Sequence, residues 1–299
     1  MNSKHIRVGS RESGLAIKQS EIIIEQIKQV VPDVNIELIT MKTMGDLILD
    51  RSLEQIGGKG LFVKELDLAL MENRCDLSVH SLKDMPMELP KELPILAYSK
   101  REDERDVLIL RKNVTELPEH PVIGTFSKRR TLQASVLYPN AVFKGIRGNL
   151  ITRLKKLDDG EYDALILAAA GIVRMGLTDR ISRYFSLDEI IPSAGQGIMA
   201  VQGRKEPGCE VIEQINSEES RIMALAERAF VRILDGGCSS PIAACSEITG
   251  NQLKIRGLYY EETSGRYHKG VIVGSVKTPE KLGEELALSL KKECFEKEY

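Results

Sequence analysis

The sequence predicts an α/β protein with two lobes on mixed, mostly parallel sheets and a small α+β third domain. Three observations carry that expectation. Short β-type runs alternate with amphipathic helical segments before residue 200, and a βαβα order closes into a parallel sheet with helices on both faces. The charged stretch Ser99 to Asp106 interrupts this alternation and divides it into two series. After Glu218 the pattern changes to consecutive alternating runs bounded by turn residues, as in antiparallel strands.

Ile6 to Gly9 reads as the first strand. Ser13 caps a helix in which Ala16, Ile23, Ile27 and Val30 share one face, and Pro32 ends it. Asn35 to Met41 is the next strand. Leu61 to Asn73 follows as a helix with Phe62, Leu66, Ala69 and Leu70 toward a core. Leu77 to Val79 and Leu93 to Ala97 are short buried strands. Beyond the charged stretch, Val122 to Gly124, Ala141 to Lys144 and Ala164 to Ala168 read as strands. Helices Lys128 to Leu137 and Asn149 to Leu157 lie between them. Ile191-Pro192 breaks the series, and Ile198 to Gln202 reads as a strand returning to the first lobe. Glu218 to Leu234 is a helix. Ile242 to Thr249, Gln252 to Tyr260 and Arg266 to Val276 alternate as strands, with hairpin turns at Thr249-Gly250-Asn251 and Ser264-Gly265. Pro279 to Glu298 is the closing helix. The expected domains are 1–99 with 198–217, then 104–193, then 218–299. Two α/β lobes joined by two crossings predict a ligand cleft.

The chain has 299 residues and a net charge of −2, so no overall basic field draws in nucleic acid. No apolar stretch approaches the roughly 20 residues that span a bilayer. The first residues, MNSKHIRVGSRESGLA, lack the apolar run of a secretory signal. The cysteines, Cys75, Cys209, Cys238, Cys245 and Cys294, are odd in number and form no CxxC. These features lead to the expectation of a reduced, cytoplasmic chain without membrane, nucleic-acid or metal partners.

Basic and hydroxyl residues recur at loop–helix junctions. They are Arg11 with Ser13, Lys59 within Gly57-Gly58-Lys59-Gly60, Ser127 with Arg129 and Arg130, and Arg147-Gly148-Asn149 with Arg153. Helix N-termini favour anions, and arginine matches a carboxylate with two parallel hydrogen bonds. One such residue alone reads as a surface charge. The set, at one edge of predicted parallel sheets, points to a ligand with several carboxylates or phosphates. Neither GxxxxGK[ST] nor GxGxxG with a downstream acid occurs, which disfavours nucleotides. Asp84 follows a buried strand in Val79-His80-Ser81-Leu82-Lys83-Asp84-Met85-Pro86 and is a candidate for stabilising a cation or moving protons. A turn aspartate before a proline is the competing reading, and His80 reads as an interior histidine. Cys238, after two glycines in Asp235-Gly236-Gly237-Cys238-Ser239-Ser240-Pro241, reads as a nucleophile or attachment point, against the plainer reading of a small buried hydrophobe.

These segments, in this order, resemble the hydroxymethylbilane synthase (porphobilinogen deaminase) family. The likeness runs through RVGSRESGLA at Arg7–Ala16, GDLILD at Gly45–Asp50, GGKGLFVKEL at Gly57–Leu66 and DLSVHSLKDMP at Asp76–Pro86. It continues through REDERD at Arg101–Asp106, GTFSKRR at Gly124–Arg130 and the long block Arg147–Leu177. PSAGQG at Pro192–Gly197 and ERAF…LDGGCSSPI at Glu227–Ile242 complete it. The resemblance implies type II periplasmic-binding-protein-like lobes and a dipyrromethane cofactor held as a thioether by Cys238. It implies a transferase that joins four porphobilinogen units head to tail with loss of ammonia, then releases hydroxymethylbilane by hydrolysis.

By resemblance Asp84 is catalytic. Arg11, Ser13, Ser81, Lys83, Thr125, Ser127, Arg129, Arg130, Arg147, Arg153 and Arg174 hold the carboxylates of cofactor and substrate, and Gln19, Lys59, Gly148 and Gln196 also bind cofactor or substrate. A monomer in transient contact with a downstream uroporphyrinogen synthase is implied as well. Met44, Gln55, Phe126, Gln202 and Ser239-Ser240 depart from the family's usual residues, and the Phe126 ring is expected to occupy ligand space. A non-catalytic binding module for a small polyanion on the same fold is the alternative. Intact-protein mass separates the two. The synthase carries an adduct of dipyrromethane size that Cys238→Ala abolishes, and an unmodified but fully active protein refutes the reading.

Overall fold

The structure, a computed structural model, describes residues 5–47, 63–206, 208–235 and 241–296. Gln55, Lys59, Cys238 and Ser239-Ser240 lie outside the described residues. The chain forms two compact units, Met1–Glu102 with Ile198–Arg221, and Asp103–Gly197 with Ile222–Tyr299.

The first unit begins with β1 (His5–Arg11), α1 (Gly14–Val30) and β2 (Asn35–Met41). Ser13 caps α1 as expected, its hydroxyl accepting from the Ala16 amide at 3.4 Å. Ala16, Ile23 and Ile27 are buried along one face. Then come α2 (Met44–Leu47), α3 (Lys64–Met71), β3 (Leu77–Ser81), a 3-10 turn at Leu82–Asp84, and β4 (Ile95–Tyr98). The second unit opens with β5 (Asp106–Leu110), β6 (Val122–Gly124), α4 (Lys128–Leu137) and β7 (Val142–Lys144). It continues with α5 (Leu150–Asp158), β8 (Ala164–Ala168), α6 (Ala169–Arg174) and β9 (Arg183–Tyr184). The chain then supplies β10 (Met199–Gly203) and α7 (Glu210–Glu213) to the first unit. After α8 (Glu218–Ile233) it ends with β11 (Ala243–Thr249), β12 (Gln252–Tyr260), β13 (Tyr267–Ser275) and α9 (Pro279–Glu296).

The two five-stranded sheets share one plan, β2-β1-β3-β10-β4 and β7-β6-β8-β5-β9. In each, the first three strands run parallel, and the fourth, β10 or β5, runs antiparallel to both neighbours. This is the plan expected of type II periplasmic-binding-protein-like lobes.

Strand β5 corrects the sequence reading, which treats the charged stretch as a crossing and places no strand between it and Val122. Val107, Leu108, Ile109 and Leu110 are buried, so β5 is a short apolar run directly after the charges. A run of four residues carries no period. Helix α6 also went unread, because Ala169 and Ala170 prolong the apolar run of β8 without a break.

The three-stranded antiparallel sheet β11-β12-β13 belongs to the second unit. Its Ala243, Cys245 and Leu258 pack with Ile191, which fixes it to the segment after β9. Helices α8 and α9 meet without room for a side chain at Gly283, where a Cβ would collide with the Ala226 carbonyl oxygen. Alanine ordinarily gains about 1 kcal/mol over glycine inside a helix. Here backbone faces backbone and nothing flexible can yield. Gly283→Ala is expected to lower the unfolding free energy by about 1–3 kcal/mol in urea titrations. A neutral or stabilising outcome refutes the close approach.

Candidate functional site

In the first unit the residues singled out by sequence gather at the C-terminal ends of β1 and β3, which are adjacent and parallel. Arg11 ends β1 and Ser13 caps α1. Ser81 ends β3, and Lys83 and Asp84 follow in the 3-10 turn. The Met85 amide closes that turn on the Leu82 carbonyl at 3.1 Å, and the Leu82 amide donates to the Ile198 carbonyl at 3.0 Å. Gln19 is buried on α1 and donates to the Ser81 hydroxyl at 2.9 Å, tying helix to strand. With Met85 fully buried beside it, the half-buried Asp84 stands on a fixed backbone.

His80 is an interior histidine, 2.8 Å from the Ser78 hydroxyl. Burial, and next the Arg11 charge, push its pKa down to about 4 against the pull of a Gln202 hydrogen bond. It is therefore neutral near pH 7.

In the second unit the corresponding edge is formed by the ends of β6, β7 and β8. Thr125 is buried just past β6, and Ser127 caps α4 by accepting from the Arg130 amide at 3.4 Å. Asn149 caps α5, accepting from the Thr152 amide at 2.9 Å. Gly148 before it has φ +113°, a backbone state that side-chain-bearing residues avoid. Arg153 donates to the Gly148 carbonyl at 2.8 Å, and Arg174 donates to the Gly197 carbonyl at 2.6 Å. The Arg147 guanidinium lies over the Phe126 ring, 5.4 Å from its centroid.

The centre of this edge is Asp106, which the sequence reading did not single out. It begins β5 opposite Ala168 and is 0% exposed. Its carboxylate accepts from Arg129 Nη1 at 2.7 Å, Arg130 Nε at 3.0 Å, Arg130 Nη2 at 2.8 Å and Gln196 Nε2 at 3.0 Å. Arg129 also donates to the Ile191 carbonyl at 2.7 Å and the Ser193 hydroxyl at 3.0 Å. Arg130 Nη1 reaches the Ile166 carbonyl at 3.1 Å. Gln196 also donates to the Glu104 carbonyl at 2.7 Å. The reading placed Arg129, Arg130 and Gln196 against a ligand, and the bonds described here run into the protein. Burial alone raises the Asp106 carboxyl; the two guanidinium charges outweigh it and hold the group well below the usual carboxylate range.

Glu227 is a second buried carboxylate, quoted in the sequence only within a motif. It accepts from the Gly195 amide at 2.7 Å, the Ser246 amide at 2.8 Å and the Ser246 hydroxyl at 2.6 Å. It thereby joins α8, the turn before β10 and β11. Among the described residues no three His, Cys, Asp or Glu side chains group to hold a metal ion, and no helix is long and apolar enough to cross a membrane.

Residues 6–209 match the family model described as porphobilinogen deaminase, dipyromethane cofactor binding domain. The chain belongs to the porphobilinogen deaminase family. Residues 222–292 match that family's C-terminal domain. The porphobilinogen deaminase of Ruminiclostridium cellulolyticum is 53% identical over 283 residues, covering 95% of this chain and 96% of that protein. That of Alkaliphilus oremlandii is 52% identical over 288 residues, covering 96% and 97%. Solved structures with a similar trace include the methionine binding protein MetQ, with a TM-score of 0.44, 12% identity and coverage of 72% of this chain and 90% of that one. As a member of the deaminase family the chain is an enzyme, a transferase of porphyrin and heme biosynthesis. The first family match spans both sheet edges, and the second spans Glu227 and, in sequence, Cys238.

Asp106→Asn leaves two buried guanidinium groups short of their counter-charge. It is expected to cost about 3–5 kcal/mol of stability at pH 7. A depressed carboxyl contributes stability above its unfolded pKa and loses it as pH falls through the folded one. The wild-type advantage therefore shrinks below about pH 4. Denaturant titrations of both proteins across pH test this, and equal stabilities at pH 7 reject the framework role.

Proposed function

We propose that this chain is a hydroxymethylbilane synthase that condenses four porphobilinogen molecules head to tail, with loss of ammonia, and releases hydroxymethylbilane by hydrolysis. The observation that carries the reading is the set of donors at the edge of the second unit, in a chain of the porphobilinogen deaminase family. Each substrate pyrrole carries an acetate and a propionate. Two capped helix starts, at Ser127 and Asn149, with Arg147 and Arg153 at the second and Arg174 at the end of α6, suit several carboxylates at once.

The same donors fit a dipyrromethane, whose attachment we assign to Cys238, outside the described residues. Bound there, it would supply the pyrrole carbon to which the first unit is joined. Thr125, Ser127, Arg147, Gly148, Arg153 and Arg174 bind carboxylates in the second unit. Arg129, Arg130 and Gln196 serve them as the charged frame behind. In the first unit Arg11, Ser13, Lys83, Ser81 and Gln19 bind and orient, and Lys59 belongs to the same group by sequence.

Asp84 sets its carboxylate against the positive charge that develops on the substrate methylene as ammonia leaves, and accepts from the pyrrole N–H. A charge fixed beforehand costs no reorganisation when the reaction occurs. The 3-10 turn and the buried Met85 supply that fixity. In this reading the three domains are 1–99 with 198–217, 104–193 and 218–299. The protein acts as a cytoplasmic monomer and passes its product to a uroporphyrinogen synthase.

Asp84→Asn keeps the shape and removes the charge. Ammonia release from porphobilinogen is expected to fall at least about 100-fold, the cost of losing one prepositioned electrostatic group. The thermal unfolding midpoint stays unchanged. Near-normal turnover rejects the role of Asp84.

A further inference from the structure

Phe126 lies between β6 and α4 and is 44% exposed. Exposure alone says nothing. The surroundings of the ring do. An ideal Cβ at Gly145 would stand 3.0 Å from both Cδ2 and Cε2 of Phe126, so the ring rests directly on that backbone. The backbone beneath is anchored twice. The Tyr162 hydroxyl donates to the Gly145 carbonyl at 2.9 Å, and the Thr125 amide donates to the Lys144 carbonyl at 3.0 Å. The loops after β6 and β7 are thus stitched together, with the ring seated on the seam. Over the ring lies the Arg147 guanidinium.

We propose that Phe126 is a positioning residue, whose ring face holds the Arg147 guanidinium in place to receive a carboxylate of the substrate. The inference rests on the reading of Arg147 as a carboxylate ligand. A carboxylate partner would hold an arginine by consuming its in-plane N–H donors. An aromatic face holds the same cation from above or below, a contact that itself uses none of the in-plane N–H donors. The ring costs little side-chain entropy, and its seat on Gly145 limits its movement further.

Steady-state kinetics with porphobilinogen test this on the cofactor-loaded enzyme. Phe126→Leu keeps an apolar group and removes the π face. It is expected to raise KM about two- to fivefold, the range of an exposed cation–π contact, with kcat changed less than about twofold. Phe126→Tyr keeps the face and restores the wild-type KM. Adding Phe126→Leu to Arg147→Ala has no further effect, because the ring acts through the guanidinium. If Arg147→Ala raises KM and Phe126→Leu does not, the positioning role is overturned and the reading of Arg147 stands. If Tyr and Leu are equally impaired, the ring only fills space and the proposal fails. An unchanged KM in Arg147→Ala overturns both. Should Phe126→Leu not fold, Gly145→Ala decides. It pushes the ring off its seat and is expected to raise KM likewise, and a wild-type KM there overturns the proposal.

Discussion

The second unit is organised around one buried carboxylate. Asp106 is fully buried, with two guanidinium groups and a carboxamide on its oxygens. An unpaired charge at that depth costs several kcal/mol, so the group is tolerable only because the fold brings Arg129 and Arg130 to it. The arginines come from α4, the carboxylate from the start of β5, and Gln196 from the turn before β10. Three chain segments far apart in sequence are thereby fixed to one another. The cluster holds one carboxylate and two guanidinium groups, so the interior behind the sheet edge is positive. That charge is also poorly screened, being out of water. A pair of this kind is weak evidence for net stability. Its consequence is placement: the start of α4 is held against β5 at the sheet edge.

The two units differ in their electrostatics. At the first, the buried polar groups are neutral: Gln19 bonds Ser81, and His80 is held uncharged by burial and by Arg11. The carboxylate assigned to chemistry, Asp84, stands on a short rigid turn at the end of a buried strand. At the second, cations line the edge, and the two buried acids described, Asp106 and Glu227, are consumed internally. A carboxylate that must meet a developing cation and a set of donors that must hold anions have opposite needs. The chain places them on separate sheets. Glu227 adds a mechanical link, carrying the order of the second unit through α8 toward the segment that contains Cys238.

Much of this was legible in the sequence. The caps Ser13, Ser127 and Asn149 read correctly because a helix start is a local event, settled by one side chain and an amide three residues on. The parallel strands before α4 and α5 read correctly because their helices supplied a period to contrast with. Strand β5 did not, since its four apolar residues carry no period and follow six residues that are all charged. Its register opposite β8 is what buries Asp106, and nothing local to REDERD marks the last acid as different from the others.

The sequence by itself determined the fold class, the helix starts, the order of motifs and the family, because each depends on residue identity and short spacing along the chain. Tertiary structure alone decided which polar groups are spent inside. In the sequence Arg129 and Arg130 show no internal partner, and β5 places a buried carboxylate against both. Phe126 looks like an obstruction until its ring is found on Gly145 with Arg147 above it. Hydrogen-bond partners drawn from distant strands follow from sheet order and register. Those are set by packing the whole core, and no local pattern encodes them.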